Sequence, residues 1–307
     1  MNVVLFHRGN PFAEGHPAHL VFPDHIKYCI SQIRYTNPEL KIYFLTNLNI
    51  EQPPDQNISI VNINEFEAPD ISKYFAHDIP EHVQLWHTAV LRLFYIETFL
   101  DKWNVKDVIH FDNDVLIFSN LKDLSAKFKK FNFLITPHFE TEYVFGFSYI
   151  KNNKSLTPIN NSILELVNLP FTELQARVDH KTPHEMRLLN YVNTSNNNKY
   201  IDHLPVVVEG PGSDNFDIFE TIFDPSSYGK HVAGSHCLGP HNKYYVSTPN
   251  FHGTELHHYA GQQINSGKIK VDFDGKYPFL TYNKKKYMLA NLHIHDKNLK
   301  DFTTYDA

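Results

Sequence analysis

The first 120 residues alternate between short apolar runs and longer stretches whose apolar residues recur every three or four positions. Short apolar runs are typical of buried strands, and the wider spacing is typical of helices with one buried face. The predicted order is strand–helix–strand–strand–helix–strand, and the segments are VVLFH, FPDHIKYCISQIRYTNP, KIYFLTN, NISIVNI, residues 81–103 and the run that begins at Val108. Strands joined through helices lie parallel in a sheet that the helices cover. We therefore predict an α/β fold with a mostly parallel central sheet flanked by helices.

The second half of the chain is less regular. EYVFGFSYIKN predicts a strand pair or a bulged strand, and NNSILELVNL and TPHEMRLLNYV predict helices. KYMLANLHIHDKNL supplies one more strand-like run near the end. No repeat, low-complexity linker or sharp change in composition divides the chain, so we predict a single domain over residues 1–307.

Composition and charge restrict the class of partner. Hydrophobic residues make up 42% and charged residues 20% of the chain, which is ordinary for a globular enzyme with a buried core. The formal net charge of −6 argues against nucleic acid or an anionic membrane surface as a partner, because both attract basic proteins. Two cysteines cannot form a disulfide framework, and no apolar stretch approaches the roughly 20 residues of a membrane helix. The first residues, MNVVLFHRGNP, have no basic region before their short apolar run, so we expect no signal peptide. We expect a soluble cytoplasmic protein with no membrane span.

Two carboxylates interrupt the apolar run of the fourth predicted strand. In HFDNDVLIF, only Asn113 separates Asp112 from Asp114, and apolar residues lie on both sides. A buried, unpaired carboxylate costs on the order of several kcal/mol, so these side chains need a partner. Alternate residues of a regular strand face the same side, and α/β sheets bind ligands at the carboxyl ends of their strands. The pattern predicts a site for a hard divalent cation; the alternative is a polar turn, for which Asp-Asn-Asp is also suitable.

The HFDNDVLIF block resembles the Asp-x-Asp motif of the nucleotide-sugar-dependent glycosyltransferases of the GT-A fold. CISQIRYTNPELKIYFLTN is similar to the helix-to-strand segment that opens many of these enzymes, and HTAVLRLFYIETFL to the helix before the motif. PHEMRLLNYV resembles the segment whose acidic residue faces the donor sugar, and IFDPSSYGKHVAG and ANLHIHDKNL resemble C-terminal blocks of some viral and bacterial members. The resemblance implies one GT-A domain with a Rossmann-like central sheet, a nucleotide-sugar-binding half at 1–120 and an acceptor half at 121–307.

The same resemblance implies a metal-dependent hexosyl- or pentosyltransferase, which moves a sugar from a nucleoside diphosphate sugar to a glycan or other saccharide acceptor. Its cofactor would be Mn²⁺ or Mg²⁺. Asp114 would be the main metal ligand, and Asp112 would contact the metal, the ribose or the sugar. His293 and His295 are the candidates for a further metal ligand from the C-terminal block, and Lys297 is the candidate for the diphosphate. The alternative for these three residues is a surface strand with incidental histidines.

Candidates for the acid–base chemistry lie in RVDHKTPHEMRLL. Glu185 is the preferred catalytic base of an inverting enzyme, and Asp179 is the second candidate. A retaining enzyme needs no base, and Glu185 would then position the sugar. The alternative for Glu185 is an acidic residue that the helix dipole favours at a helix N-terminus. Arg92 lies on a largely apolar helix, so its guanidinium needs a partner, either the donor or Asp112.

Three further residues are candidates for the donor site. Arg8 and Gly9 follow the first strand, where the nucleobase and ribose would bind at a carboxyl end. Gly146 is a candidate for close approach near the sugar. Gly9 is also compatible with a simple turn.

Two other functions remain open from the sequence. The histidine-rich stretch at 231–258, together with the two aspartates, is compatible with a metal-dependent hydrolase, although no HExxH motif occurs. The 17 tyrosines and 24 phenylalanines would allow a non-catalytic carbohydrate-binding protein that stacks sugars on aromatic rings. No P-loop and no G-x-G-x-x-G motif is present in the sequence.

Overall fold

A computed structural model describes residues 1–9, 23–67, 69–71, 83–234, 236–238, 245–247, 258–295 and 297–305. The strands of these residues are β1 (Asn2–His7), β2 (Lys41–Thr46), β3 (Ile58–Asn62), β4 (Val108–Phe111), β5 (Val115–Ile117), β6 (Phe133–Phe139), β7 (Glu142–Ile150), β8 (Asp202–His203), β9 (His236–Leu238), β10 (Tyr245–Ser247), β11 (Ile269–Phe273), β12 (Pro278–Tyr282), β13 (Lys285–Met288) and β14 (Asn291–His293). The helices are α1 (Asp24–Thr36), α2 (Val83–Lys102), α3 (Leu121–Phe128), α4 (Asn153–Val167), α5 (Phe171–Arg177), α6 (Glu185–Ser195), α7 (Phe216–Phe219), α8 (Tyr228–Ala233) and α9 (Tyr259–Asn265).

The central sheet contains seven strands of the described chain in the order β3-β2-β1-β4-β7-β6-β8. β3, β2, β1 and β4 are parallel neighbours, β7 is antiparallel to both β4 and β6, and β8 is parallel to β6. The predicted α/β fold with a mostly parallel sheet is confirmed. Because β1 and β4 are parallel neighbours, the residues that follow each strand emerge at the same end of the sheet.

The sheet is buried on both faces. On β1, Val4 belongs to one hydrophobic core, whereas Val3 and Leu5 belong to the core on the opposite face. Helices α2, α4 and α6 contribute to the first core, and α1, α3 and the C-terminal strands contribute to the second. Burial on both faces explains why the strand segments read as continuous apolar runs in the sequence.

The helices predicted in the first half form at the expected places. Four of the five side chains on the predicted apolar face of α2 are buried, and none of the four exposes more than 1% of its surface: Val90, Leu93, Ile96 and Leu100. The fifth, Trp86, is only partly buried. NNSILELVNL and TPHEMRLLNYV also fall within or across helices, α4 and α6. In the described part of the chain, no helix combines the length and the hydropathy needed to cross a bilayer.

The run through the two aspartates is not one continuous strand; the polar turn, which was the alternative, forms there. β4 ends at Phe111, and the N–H of Val115 donates to the carbonyl of Asp112 at 3.0 Å, which closes a turn of four residues. The chain then leaves the central sheet as β5, which pairs antiparallel with β14, with His293 opposite Val115. This pairing brings the C-terminal block beside the aspartates.

The sequence EYVFGFSYIKN predicted either a strand pair or a bulged strand, and β7 is a bulged strand. Its register with β6 jumps from Ile135–Ser148 to Thr136–Val144, so residues 145–147 are not paired with β6. On the other side of the bulge, the carbonyl of Gly146 accepts a hydrogen bond of 3.1 Å from the N–H of Asp112. The bulge therefore lies directly against the start of the Asp-Asn-Asp turn.

Candidate functional site

The Asp-Asn-Asp segment is both a turn and a convergence point for its two carboxylates. The carbonyl of Asp114 accepts the N–H of Ile294 at 2.8 Å, and the side-chain amide of Asn113 donates to the carbonyl of Phe6 at 2.8 Å. These bonds fix the turn between the end of β1 and the C-terminal block. The two interpretations weighed from the sequence, a turn and a cation site, are thus geometrically compatible.

His293 joins the two carboxylates. Its Nε2 lies 3.0 Å from Oδ1 of Asp114 and 3.8 Å from Oδ2 of Asp112. Burial lowers the pKa of His293, but the neighbouring carboxylates, Asp114 foremost, outweigh it and raise that pKa overall. Burial also acts to raise the pKa of Asp114, yet the charges of His293 and Lys297 hold it well below its ordinary value. This end of the sheet is built to keep negative charge beside positive charge.

His295 and Lys297 complete the C-terminal side of the cluster. The ring of His295 stacks on that of His293 at a centroid distance of 4.2 Å, and its Nε2 is hydrogen-bonded to Oγ of Ser226 at 3.0 Å. Burial holds the pKa of His295 well below its ordinary value, so the ring is neutral, as a metal ligand must be. The ammonium of Lys297 contacts Oδ2 of Asp114, while 39% of its side chain is exposed.

A divalent transition ion fits the donor set of this cluster. Asp114, His293 and His295 each offer one ligand atom, and these atoms lie within 4.8 Å of one another. A carboxylate combined with two imidazoles suits a transition ion better than Mg²⁺, which prefers oxygen ligands. The side chain of Asp112 is 26% exposed and that of Asp114 is 6% exposed, so Asp112 is the more accessible of the two carboxylates.

Asp224 positions His293 and was missed in the sequence. Its side chain, in a residue that exposes only 2% of its surface, accepts three backbone N–H groups at 2.8 Å each, from Tyr228, Gly229 and His293. A Cβ on Gly229 would lie 2.0 Å from the carbonyl oxygen of His293, so α8 packs directly on the backbone of β14. The only local signal was an aspartate shortly before a tyrosine–glycine pair, which does not identify a distant partner.

Arg92 bridges two carboxylates. One guanidinium nitrogen contacts Oδ1 of Asp112, and the other donates to Oε1 and Oε2 of Glu185 at 2.9 and 3.1 Å. The guanidinium also lies 5.0 Å from the ring centre of Phe145. Burial acts to lower the pKa of Arg92, but the two carboxylates raise it overall, and the side chain stays charged. The predicted pairing of Arg92 with Asp112 is therefore present in the structure.

Glu185 lies at the first residue of α6 with only 4% of its surface exposed. Burial raises its pKa to about 7, against the opposing charge of Arg92. The preceding residue, His184, stacks on Trp86 of α2 at a centroid distance of 4.7 Å, which fixes the start of α6 against α2. A carboxyl with a pKa near neutrality is suited to accept a proton.

The other predicted residues fall in different surroundings. Asp179 is exposed in the turn after α5, with a left-handed φ of 54°, outside the contacts that join Glu185 to the aspartates. The backbone of Gly9 exchanges two hydrogen bonds, of 2.8 and 2.9 Å, with the side chain of Asn47, which ties together the ends of β1 and β2. The charge of Arg8 adds to burial in lowering the pKa of His87, on α2, to about 3.

Gly146 lies at the closest approach of β7 to the cluster. A Cβ at this position would be 2.9 Å from Oδ2 of Asp112 and 3.0 Å from Cε1 of His293. These distances are shorter than ordinary contacts, so only glycine leaves both side chains where they are. Of the histidine-rich stretch at 231–258, the side chains of His231 and His258 belong to the described residues, and those of the remaining histidines lie outside them.

Comparisons with known proteins give structural similarity only. No protein-family model matches the chain, and no curated protein matches it. The solved structures to which it is similar include the galactosyltransferase LgtC in complex with donor and acceptor sugar analogs, at 14% identity and a TM-score of 0.42, over 67% of this chain and 73% of that one. Another is mouse xyloside xylosyltransferase 1 in its apo form, at 9% identity and a TM-score of 0.43, over 72% of this chain and 93% of that one. The PaToxG glycosyltransferase is similar at 12% identity and a TM-score of 0.39, over 64% of this chain and 68% of that one.

Proposed function

We propose that the protein is a metal-dependent glycosyltransferase of the GT-A fold, which transfers a sugar from a nucleoside diphosphate sugar to a saccharide or glycoconjugate acceptor. One observation carries the proposal: Asp112, Asp114 and His293 converge at the carboxyl end of β4, with His293 Nε2 at 3.0 Å from Asp114 and 3.8 Å from Asp112. Each carboxylate also contacts a cation: Arg92 contacts Asp112, and Lys297 contacts Asp114. Such a site suits a metal ion and the phosphates that it would hold.

Asp114, His293 and His295 would hold the ion, and the mixed oxygen and nitrogen donors favour Mn²⁺ over Mg²⁺. A divalent ion at this place would neutralise the negative charge that builds up on the departing diphosphate. Asp224 keeps the backbone of His293 in place through its hydrogen bond of 2.8 Å.

Other residues near the cluster would bind the diphosphate, the sugar and the nucleoside of the donor. Lys297, whose side chain is 39% exposed, would stabilise the diphosphate with its ammonium group. Arg92 holds Oδ1 of Asp112, and Oδ2 would then face the ribose, the sugar or the ion. Arg8 and Gly9, after β1, would contact the nucleobase or ribose, and Asp179 stays the second candidate base.

Glu185 would be the base of an inverting reaction. The hydroxyl oxygen of the acceptor would attack the anomeric carbon, the bond from that carbon to the diphosphate would break with its electron pair leaving on the diphosphate, and Glu185 would take the hydroxyl proton. Its pKa of about 7 suits this role near neutral pH. In a retaining reaction Glu185 would position the sugar, and the anomeric configuration of the product distinguishes the two courses.

A panel of nucleotide sugars tests the proposal. In the presence of Mn²⁺, one UDP-, GDP- or dTDP-sugar should be hydrolysed slowly or transferred to a saccharide, and Asp114→Ala should abolish the reaction while the protein stays folded. Hydrolysis of simple phosphate or ester substrates without any nucleotide would indicate a hydrolase instead. Binding of free sugars with no dependence on metal or nucleotide would indicate a non-catalytic carbohydrate-binding protein.

A further inference from the structure

A second group of metal-ligating side chains lies outside the cluster at Asp114. It consists of His138 near the end of β6, Glu142 at the start of β7 and His258, the residue before α9. One ligand atom from each lies within 4.8 Å of the others. The group shares no residue with the one formed by Asp114, His293 and His295.

All three residues are buried, although two are titratable rings and the third is an acid. His138 exposes 5% of its surface, Glu142 9% and His258 6%. Such groups are rarely this buried unless they are paired or bind a metal ion. The ligand atoms of the three side chains therefore lie together in a buried part of the fold.

The separation of His138 and Glu142 fits two ligands that share an ion. Nδ1 of His138 lies 3.7 Å from Oε2 of Glu142, which is longer than a hydrogen bond. Two tetrahedral ligands that bind one ion at about 2.1 Å lie about 3.4 Å apart, close to this separation. The rings of His138 and His258 are tilted by 45° with centroids 3.4 Å apart, so His258 packs directly on His138.

Arg187 orients the carboxylate. Its Nη2 lies 2.7 Å from Oε1 of Glu142, which occupies that oxygen and leaves Oε2 toward His138. Ligating carboxylates in metal sites are commonly held by such a hydrogen bond from a neighbouring side chain. His184 lies on the same side, with its Nε2 at 3.7 Å from Oε1 of Glu142.

We propose that His138, Glu142 and His258 form a second metal site, which binds a divalent transition ion of the zinc class. Two imidazoles and one carboxylate are a common zinc ligand set, and three protein ligands leave one tetrahedral position open. The ion would fasten the start of α9 to the β6–β7 hairpin. The proposal does not depend on the proposed transferase activity, because none of its three ligands belongs to the cluster of Asp114, His293 and His295.

Zinc binding to the intact chain tests this proposal. The protein is stripped of metal with a chelator, and Zn²⁺ is added in competition with a chromophoric chelator. The Asp114→Asn variant, which weakens the other site, should still bind one equivalent of Zn²⁺. Adding His138→Gln in that background should weaken this binding by about 100-fold or more, because a direct ligand contributes at least as much as the residues that orient it. His203→Gln is the matched control, since His203 is a partly buried histidine paired with Asp214 at 2.9 Å, and it should leave zinc binding unchanged.

Two further measurements keep the test decisive. If His138→Gln unfolds, as judged by circular dichroism, His258→Gln and Glu142→Gln replace it, and each should weaken zinc binding to a similar degree. Co²⁺ in the Asp114→Asn protein should give the intense visible absorption of a four-coordinate site. Each variant that also lacks one ligand, at His138, Glu142 or His258, should lose this absorption. The proposal is overturned if Asp114→Asn alone abolishes zinc binding, or if all three ligand variants bind Zn²⁺ as tightly as that parent. A wild-type protein that binds zinc at this site but acts on no nucleotide sugar would contradict the proposed function and would not affect the second metal site.

Discussion

Replacing Glu185 with glutamine should stabilise the protein at alkaline pH relative to the wild type. Glu185 exposes 4% of its surface, and burial raises its pKa from 4.5 to about 7 in spite of Arg92. The folded protein therefore binds a proton here more tightly than the unfolded chain. Stability from a raised pKa is complete below about pH 4.5 and is lost as the pH rises through about 7. At about 1.4 kcal/mol per pKa unit, this loss amounts to about 3 kcal/mol at pH 8 and above.

The magnitude is measured as a difference between two proteins. Urea unfolding of the wild type and of Glu185→Gln from pH 4.5 to 8.5 gives two free energies of unfolding at each pH. Their difference should shift by about 3 kcal/mol in favour of the variant across this range, because glutamine is neutral throughout. Glu173→Gln is the control: Glu173 is 47% exposed and pairs with Arg177 at 3.3 Å, so its difference should stay flat.

The same residue predicts the pH dependence of activity. If Glu185 accepts the proton of the acceptor, the wild-type rate should rise with pH through about 7, and Glu185→Gln should lower kcat by about 10²- to 10⁴-fold.

A stability difference between the two proteins that does not change with pH, or one that favours the wild type at pH 8, would refute the assignment of a raised pKa to this buried carboxyl.

Three further substitutions probe the surroundings of His293. Gly146→Ala places a Cβ 2.9 Å from Oδ2 of Asp112 and 3.0 Å from Cε1 of His293. The variant should fold with a free energy of unfolding lower by about 1–3 kcal/mol and should bind Mn²⁺ at least about tenfold more weakly. Unchanged Mn²⁺ binding in titration calorimetry would contradict the close approach. Gly229→Ala places a Cβ 2.0 Å from a backbone oxygen that cannot move, so it should destabilise the fold more than Gly146→Ala, and an equal urea midpoint would argue against the packing of α8 on β14. Asp224→Asn replaces one carboxylate oxygen by an amide NH₂, so at least one of the three buried backbone N–H groups loses its acceptor. The free energy of unfolding in urea should fall by about 1–3 kcal/mol. An unchanged free energy would show that these bonds do not hold β14.

The sequence predicts well what depends on local spacing. The apolar runs of β1, β2 and β4 and the three-to-four periodicity of α1 and α2 led to the correct elements, because burial on both faces of the sheet dictates these patterns. The position of Asp112 at a carboxyl end followed from the same reasoning. The continuous strand through Asp114 did not form, because turn closure at Val115 redirects the chain to pair with β14.

What depends on distant contacts could not be worked out from spacing. His293 was a candidate only through the resemblance, and the β5–β14 pairing that brings it to Asp114 joins residues more than 170 positions apart in the chain. Asp224 escaped notice because its partners are backbone N–H groups, which carry no sequence signal. Arg92 was identified correctly as a charged group in need of a partner, but its second carboxylate, Glu185, is 93 residues away.

The thermal midpoint in the presence of metal and nucleotide tests the central claim most directly. Wild-type protein with Mn²⁺ and saturating UDP, GDP or dTDP should melt about 4 °C higher with one of them, because a ligand at 100 times its Kd adds about 2.7 kcal/mol to the stability of the folded state. Asp114→Asn should fold normally and lose this rise. A wild type that no nucleotide stabilises, with or without Mn²⁺, or an Asp114→Asn variant that keeps the full rise, would contradict the claim that the carboxylates after β4 hold a metal-bound sugar nucleotide.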